Sequence, residues 1–273
     1  MKFIYVTDLH GDESKYIYIL EFAGKNNIPL VINGGDLYPK DDHEGQSAFI
    51  TDFLDTHFDA YNKAGIHFLI LPGNDDFKIL DPLFEKTINK YPQYCHNIAN
   101  KKMELFGFSF IGFNLVQDAP FLLKDRFRKD LIVGSFGPAT NDGIYSVESG
   151  FRKINWVEEY YSLPSLEEEM ELLPVPQNYQ QTIYIIHQPP KECTLAIIYG
   201  GKDVGSIAVQ NYLLKNQPLL SLHGHIHESF KMSGLWLTRL GETIAIQPGQ
   251  EYNLIFIEGD LRSMQFTRKE ITA

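Results

Sequence analysis

Short runs of apolar residues recur along the chain, and each run ends in a turn that carries polar residues. Five of them are rich in Ile, Leu, Val and Phe and cover 3–6, 30–32, 68–71, 183–186 and 219–222. Runs of this length, bounded by Gly, Pro or Asn, are typical of buried strands. Between them, apolar residues at helical spacing predict helices over 15–26, 47–64 and 206–215. Alternating strands and helices indicate an α/β fold built from layers.

Two regions depart from this alternation. Residues 118–180 contain a Gly/Asn/Ser-rich stretch over 134–150, and Ser165 with Glu168 has the spacing of a capping box. We expect a surface insertion around 118–180 within a single domain that covers 1–273. After residue 233, alternating apolar and polar residues around 235–237, 243–246 and 254–257 predict antiparallel edge strands.

Composition narrows the class of protein. The chain has 273 residues, of which 44% are hydrophobic and 22% are charged, as in ordinary globular proteins. Its two cysteines, Cys95 and Cys193, exclude a disulfide framework or a zinc site built from thiolates, and a cytoplasmic location is expected. A net charge of −11 disfavours bulk nucleic-acid binding. No apolar run approaches the about 18 residues that a membrane span requires, and the N-terminus lacks the features of a signal peptide.

Polar side chains that bind metals follow all five apolar runs. Taken singly, each has an ordinary explanation, such as a turn aspartate or a packed histidine. The exception is the loop 223–227, which holds three of the nine histidines. Because the carboxyl ends of parallel strands meet at one crevice, we expect these side chains to lie together. The candidate ligands are Asp8, His10, Asp36, Asn74, His187, His225 and His227.

This donor set predicts two metal ions. Carboxylate, amide and imidazole ligands without a thiolate suit Mn²⁺ first, with Fe²⁺, Zn²⁺ or Ni²⁺ as alternatives. Seven candidates exceed the three or four protein ligands of one catalytic metal. Two cations about 3.5–4 Å apart can hold a phosphoryl oxygen and activate a bridging water. Such a pair of cations would suit attack on phosphorus by a metal-bridging hydroxide.

The ordered motifs resemble one family. Asp8-x-His10, Gly35-Asp36, Gly73-Asn74-x-Asp76, His187 and Gly224-His225-x-His227 resemble the calcineurin-like metallophosphoesterases, in family order from residue 8 to 227. The stretches 205–229 and 247–249 are similar to the smaller Icc-like prokaryotic branch. The resemblance implies a four-layer α/β/β/α sandwich with two face-to-face mixed sheets. It implies that Asp36 bridges two metals, one held by Asp8, His10 and His227 and the other by Asn74, His187 and His225. It assigns His223 no ligand role, and we interpret that residue as packed or supporting.

One position departs from the family pattern. Many members have a histidine directly after the Gly-Asn pair, where it protonates the leaving group, whereas this chain has Asp75. The sequence therefore does not identify the general acid. An ionised Asp75 facing the substrate would oppose each extra negative charge by about 3 kcal/mol at about 5 Å and an effective dielectric of about 20. A diester or diphosphate is thus favoured over a monoester. Asn74 is expected to position the phosphate, and Asp76 to orient a ligand or the Asn74 loop.

Alternatives remain at this point. A catalytically inactive binding scaffold with this fold would usually have lost ligands, and none is missing here. Four basic residues of the insertion either reach over the pocket to a second phosphate or form a solvated face: Arg126, Arg128, Lys129 and Arg152. Trp156, Tyr160 and Tyr161 would permit stacking on a nucleotide-like substrate. The expected partner is a small phosphoester, and a homo-oligomer remains possible.

Overall fold

Two six-stranded sheets form the centre of the protein, which a computed structural model describes over residues 1–272. In the first sheet four strands are parallel and adjacent: β1 (Lys2–Val6), β2 (Leu30–Asn33), β3 (His67–Ile70) and β4 (Cys95–Asn97). Beside β1, two antiparallel strands complete the sheet: β15 (Leu254–Asp260) and β16 (Gln265–Ile271). The carboxyl ends of β1, β2 and β3 therefore lie at the same edge.

The second sheet has the same plan. Its four parallel strands are, in spatial order, β6 (Phe108–Phe113), β11 (Thr182–Ile186), β12 (Leu220–Leu222) and β14 (Thr243–Ile246). Antiparallel strands form its two edges: β5 (Lys102–Leu105) and β13 (Leu237–Leu240). The carboxyl ends of β11 and β12 are neighbours, which places the turns that follow them side by side.

The side chains of β1 show how the layers form. Phe3 and Tyr5 pack between the two sheets, whereas Ile4 and Val6 face the helices outside the first sheet. This alternation is the two-residue period of a strand, and a strand buried on both faces has apolar residues at every position. A third apolar cluster covers the outer face of the second sheet. The result is the predicted four-layer α/β/β/α sandwich.

Helices cover both outer faces. Over the first sheet lie α1 (Glu13–Lys25), α2 (His43–Ala48), α3 (Asp55–Ala64) and α4 (Asp81–Ile88), and over the second lie α6 (Leu166–Glu171) and α7 (Ile207–Asn216). The helix predicted over 47–64 begins earlier, because Asp42 caps α2, and it continues through a π-helical turn at Phe49–Leu54 into α3. Short 3₁₀ turns occupy Lys78–Leu80 and Tyr179–Gln181. Among residues 1–272, no helix is both long and apolar enough to cross a membrane.

The segment 118–180 carries small elements of its own. A parallel pair joins β7 (Val116–Gln117) to β8 (Phe127–Arg128), and β9 (Asp142–Val147) forms a hairpin with β10 (Gly150–Asn155). The helix α5 (Trp156–Ser162) follows, and the predicted capping box at Ser165 begins α6. These elements enclose a small apolar cluster around Trp156. That the segment is an insertion in one domain stays a prediction.

The prediction of edge strands after residue 233 was partly wrong. Of the three predicted strands only β13 lies at a sheet edge; β14 is parallel to β12 and lies inside the second sheet, and β15 is antiparallel but lies between β1 and β16. Both inner strands are almost wholly buried, so their apolar residues fill the core on two faces. The helix α8 (Ser229–Ser233) connects the 223–227 loop to β13.

Candidate metal centre

The candidate ligands converge where five parallel strands end. Asp8 and His10 follow β1, Asp36 follows β2, and Asn74 follows β3 in the first sheet. In the second sheet His187 directly follows β11, and the loop after β12 carries His225 and His227. The turns after β1 and β2 run side by side, since the backbone N–H of Asp8 donates to Gly35 at 2.9 Å and that of His10 donates to Asp36 at 3.0 Å. The structure thus brings all seven predicted residues to one crevice.

Backbone strain is concentrated at these turns. Asp8, His10, Asp36 and His225 have positive φ angles of 56°, 45°, 53° and 68°. Residues other than glycine rarely adopt this left-handed backbone conformation, and those that do are common at functional sites. The backbone N–H of His225 donates to both carboxylate oxygens of Asp8, at 3.0 and 3.2 Å, which connects the two sheets across the crevice.

Four side chains form what we call the first cluster: Asp8, His10, Asp36 and His227. Each offers a ligand atom, and these atoms lie within 4.8 Å of one another. The Nε2 atoms of His10 and His227 are 3.1 Å apart, and Nε2 of His227 lies 3.6 Å from Oδ1 of Asp8. These four side chains can therefore bind one ion.

Asp36, His187 and His225 form the second cluster, with ligand atoms again within 4.8 Å of one another. Nε2 of His187 lies 3.5 Å from Oδ2 of Asp36 and 3.0 Å from Oδ1 of Asn74. Nδ1 of His187 contacts the carbonyl oxygen of Gly34 at 2.8 Å, which orients the ring so that Nε2 points into the crevice. Asp36 is the residue that the two clusters share.

Four of these side chains have the protonation states that metal ions require. Burial opposes charge on Asp8 and Asp36, but contacts with neighbouring histidines outweigh it and lower the pKa of both carboxyls. Burial also lowers the pKa of His10 to about 4 and that of His225 to about 3. At neutral pH the crevice therefore presents two carboxylates and two neutral imidazoles, which are the forms that bind metals.

The remaining contacts also suit cations. Burial disfavours charge on His187, but the nearby Asp36 and Asp8 carboxylates outweigh it and raise the pKa of His187 to about 9. The two carboxylates thus attract positive charge into the crevice. Nδ1 of His10 is buried without a hydrogen-bond partner, and its Nε2 faces another imidazole nitrogen. A set of carboxylate, amide and imidazole donors left facing one another fits divalent cations.

Comparison with known proteins agrees with this geometry. The sequence profile of calcineurin-like phosphoesterases matches residues 1–229. The chain belongs to the calcineurin-like phosphoesterase family. Members of this family are hydrolases that act on phosphoesters, and this phosphoesterase has Asp and His side chains positioned to bind metal ions. A comparison with proteins of curated function found no match.

Solved structures share the fold at low sequence identity. One superposes with a TM-score of 0.66 at 15% identity and covers 99% of both chains. TT1561 of Thermus thermophilus has a TM-score of 0.59 at 17% identity and also covers 99% of both chains. A dimetal phosphatase from Danio rerio has a TM-score of 0.54 at 11% identity, covering 99% of this phosphoesterase and 95% of that protein. At these identities the likeness establishes the fold alone.

Asp76 connects two of the turns that carry candidate ligands. Its buried carboxylate accepts hydrogen bonds from the backbone N–H of Leu37 at 2.9 Å, of Tyr38 at 2.8 Å and of Gly73 at 2.6 Å. Burial and the Asp36 charge raise its pKa to about 7. Asp76 therefore fixes the Asp36 turn to the Asn74 turn.

Asp75 lies at the open side of the first cluster. Its Oδ1 accepts from Nδ2 of Asn74 at 2.7 Å, and its Oδ2 lies 3.9 Å from Nδ1 of His10. Lys40, which the sequence analysis did not single out, places its ammonium 3.2 Å from the same carboxylate oxygen. Burial and the Asp36 charge still raise the pKa of Asp75, although Lys40 lowers it. Burial and the Asp36 charge thus both oppose ionisation of this carboxyl, and Lys40 offsets them only in part.

His223 is packed away from both clusters, in agreement with its interpretation from sequence. It is fully buried, its Nδ1 contacts the carbonyl oxygens of Ile186 and Gln188 at 2.9 and 3.1 Å, and its Nε2 contacts Ser221 at 2.8 Å. Burial lowers its pKa to about 4. The ring therefore connects the ends of β11 and β12, and neither of its nitrogens is free to bind a metal.

Two expectations for the 118–180 segment were wrong for some of their residues, whereas Arg152 and Tyr161 are exposed. Arg126 and Arg128 neither reach over the crevice nor form a solvated face, because both are buried in ion pairs with Asp81 and Glu169. Arg126 contacts the site in a different way, since its Nε donates to the carbonyl oxygen of Gly73 at 2.9 Å. Trp156 and Tyr160 are buried in the segment's own apolar cluster, so neither is available for stacking on a substrate.

Proposed function

We propose that this phosphoesterase holds two divalent cations with Asp36 between them, and that it hydrolyses diesters or diphosphates in preference to monoesters. The observation that carries the proposal is the place of the Asp36 carboxylate in both ligand clusters. A carboxylate has two oxygens to share between two ions, whereas an imidazole in this position has one free nitrogen. A single mononuclear site would not need both groups of ligands.

The proposed ligand sets divide at Asp36. Asp8, His10 and His227 would hold one cation, and the other would be held by Asn74, His187 and His225. Two such cations supply Lewis acidity toward phosphoryl oxygens and lower the pKa of a bound water. Mn²⁺ suits the mixed oxygen and nitrogen donors best, and Fe²⁺, Zn²⁺ and Ni²⁺ are the alternatives.

The chain's own residues would position the substrate and the ligands. Asn74 lies between His187 and Asp75, with its oxygen toward the imidazole and its nitrogen toward the carboxylate. Asn74 would thus lie at the edge of the site where the phosphate binds, and would position the phosphate there. Asp76 fixes the Asn74 turn to the Asp36 turn, so the two turns keep their spacing when substrate binds.

Charge at Asp75 supports the preference for diesters. Its side chain is 33% exposed beside the first cluster, where a bound phosphoester would meet it. Lys40 reduces the repulsion of a dianionic monoester, but its ammonium is 60% exposed and is screened by solvent. A singly charged diester meets less repulsion here than a dianionic monoester.

The substrate is proposed to be a small phosphoester, with a nucleotide-like compound as one candidate, and the protein is proposed to act in the cytoplasm. Both follow from the sequence: the acidic chain disfavours a nucleic-acid polymer as ligand, and the two cysteines are compatible with a reducing compartment. Within residues 1–272 both thiols are free and buried.

The test compares metal content and turnover in matched variants. Protein stripped of metal and reloaded with Mn²⁺ should hold two ions per chain and hydrolyse bis-p-nitrophenyl phosphate faster than p-nitrophenyl phosphate. Asp36→Asn should lose both ions and all turnover. Glu21→Gln, on the exposed face of α1, makes the same chemical change away from the site and should behave as the wild type.

Three results would contradict the proposal in different ways. Asp36→Asn with two ions and the wild-type rate would show that Asp36 does not bridge. A faster rate on the monoester would remove the diester preference. Two ions per chain without hydrolysis of any mono-, di- or pyrophosphate ester would indicate the binding scaffold instead of the enzyme.

A further inference from the structure

A groove of about 550 Å³ opens beside the second cluster. We call it the side groove. Its lining includes His225 and Gln188, which belong to the turns after β12 and β11. It also includes Phe121 and Phe136 of the 118–180 segment, and Tyr199. Because His225 belongs to both, the groove continues directly from the candidate metal centre.

Aromatic side chains in this groove are unusually exposed. Phe136 is 86% exposed, Phe121 is 53% exposed and Tyr199 is 56% exposed. Most rings of the protein are buried in its apolar clusters, and large exposed apolar surfaces in a concave site commonly mark ligand binding. Flat aromatic side chains stack on planar rings, whatever substituents those rings carry. The lining therefore suits a planar aromatic group.

The Tyr199 ring is held in place by its neighbours. Its hydroxyl donates to Glu251 at 2.5 Å, and the Lys231 ammonium lies 5.5 Å from the ring centroid. At Phe136 only the backbone is held, since its carbonyl accepts a hydrogen bond from the Tyr160 hydroxyl. Prearrangement of the Tyr199 ring reduces the entropy that binding would otherwise cost.

The charges of the groove are close to balanced. Lys191 and Lys202 line it, and neither is in an ion pair within the part of the chain that the structure describes. Of its carboxylates, Asp118 pairs with Lys124 at 2.7 Å, whereas Asp203 and Glu228 accept hydrogen bonds from backbone N–H groups. The groove therefore carries no excess of charge, and its aromatic lining carries the inference.

We propose that the side groove is the subsite for the esterifying group of the substrate, and that it accepts a planar aromatic group. Phe136 and Tyr199 determine this specificity by contacting the ring. The inference rests on the proposed function, since it places the phosphoryl group at the metal centre and the organic group next to His225.

Binding of charge-matched phosphonates tests the inference without relying on turnover. Isothermal titration of Mn²⁺-loaded protein would compare methylphosphonate, hexylphosphonate and naphthylmethylphosphonate, none of which has a phosphoester bond to hydrolyse. The naphthyl compound should bind at least tenfold more tightly than the methyl compound. Phe136→Ala and Tyr199→Ala should each remove at least fivefold of that advantage and leave methylphosphonate binding unchanged. Leu172→Ala, at an equally exposed apolar residue outside the groove, should change neither constant.

Each other outcome overturns the inference. Equal binding of the methyl and naphthyl compounds, or unchanged naphthyl binding in both ring variants, would show that the groove does not contact the organic group. If hexylphosphonate bound as tightly as the naphthyl compound, the groove would accept an alkyl chain and would not be specific for an aromatic group. If no phosphonate binds while bis-p-nitrophenyl phosphate is still hydrolysed, the groove inference fails and the proposed function stands. If no ester is hydrolysed either, both fail.

Discussion

Arg126 donates a hydrogen bond from its Nε to the carbonyl oxygen of Gly73 at 2.9 Å, and so connects the 118–180 segment to the turn that carries Asn74. Its terminal nitrogens pair with both carboxylate oxygens of Asp81, the first residue of α4, at 3.2 and 2.5 Å. The guanidinium is buried, and its rigid fork makes all three contacts at once. The position of the Asn74 turn thus depends on a residue from a distant part of the chain.

Arg126→Ala should destabilise the protein by about 2–4 kcal/mol, because it leaves the Gly73 carbonyl without a donor and Asp81 without a cation. Asp81 is partly exposed, so water can solvate it and the loss should stay below that of a fully buried pair. Urea denaturation of the metal-free protein measures the change. Arg152→Ala, at an exposed arginine of the same segment, should change stability by no more than about 0.5 kcal/mol. Equal effects of the two substitutions would contradict the assignment.

Much of the fold could be predicted because its signals are local. The five apolar runs that end in polar turns correspond to β1, β2, β3, β11 and β12, and Ser165 begins α6 as its spacing predicts. The place of a strand in its sheet is different, since it depends on which other strand covers each edge. β15 pairs with β1 from the opposite end of the chain, so its apolar run has the same appearance at an edge or in the interior.

The site residues also divide into those with a local sequence signal and those without one. Asp8, Asp36 and His187 could be found because each closely follows a strand, and parallel strands bring their ends together. Lys40 lies in a polar turn that is typical of an exposed loop, and it contacts Asp75 only because the turns after β2 and β3 are adjacent. Tertiary packing determines which partner a long side chain contacts, and this leaves no pattern in the local sequence.

Gly73 allows a close approach that the metal centre requires. A methyl group on its Cα would overlap the carboxylate and the backbone nitrogen of Asp36. Gly73→Ala should therefore displace Asp36 and weaken Mn²⁺ binding by about tenfold or more, an effect of at least about 1.4 kcal/mol, as measured by calorimetric titration.

Gly24 provides the matched control for this substitution. It lies in α1, where a methyl group added to its Cα would have no atom within 4 Å, so Gly24→Ala should leave Mn²⁺ binding unchanged. Alanine in a helix should also stabilise the protein by about 0.5–1 kcal/mol. If Gly73→Ala binds Mn²⁺ as tightly as Gly24→Ala, the Asp36 position is not essential to the site.

Asp75→His should increase hydrolysis of p-nitrophenyl phosphate, because an imidazole there removes a negative charge and supplies a proton donor. Proton donation of this kind contributes about 10²–10⁴-fold in enzymes, so a gain of at least about tenfold in kcat/KM is expected. Asp75→Asn separates the two effects, since it removes the charge and adds no acid. Its gain should be smaller than that of the histidine variant. No gain from either substitution would mean that Asp75 does not face the substrate.

Acid should destabilise the protein in part through His57, which is remote from the metal centre. Its ring lies among Tyr16, Phe53, Tyr61 and Phe68, and its Nε2 is buried without a hydrogen-bond partner. Burial lowers its pKa from 6.5 to about 3. Below pH 6.5 the unfolded chain therefore binds a proton that the folded protein does not, and stability falls as the pH falls from 6.5 toward 3. At pH 5 this loss amounts to about 2 kcal/mol.

His57→Phe removes the titrating group and the unpartnered nitrogen while keeping a flat ring in the aromatic cluster. Relative to the wild type, the variant should therefore gain about 2 kcal/mol more stability at pH 5 than at pH 8. Urea denaturation of metal-free protein at the two pH values measures this difference. The histidines of the metal centre titrate alike in both proteins, so their contributions cancel. A gain that does not depend on pH would show that the folded protein accepts a proton on His57, through water reaching the ring.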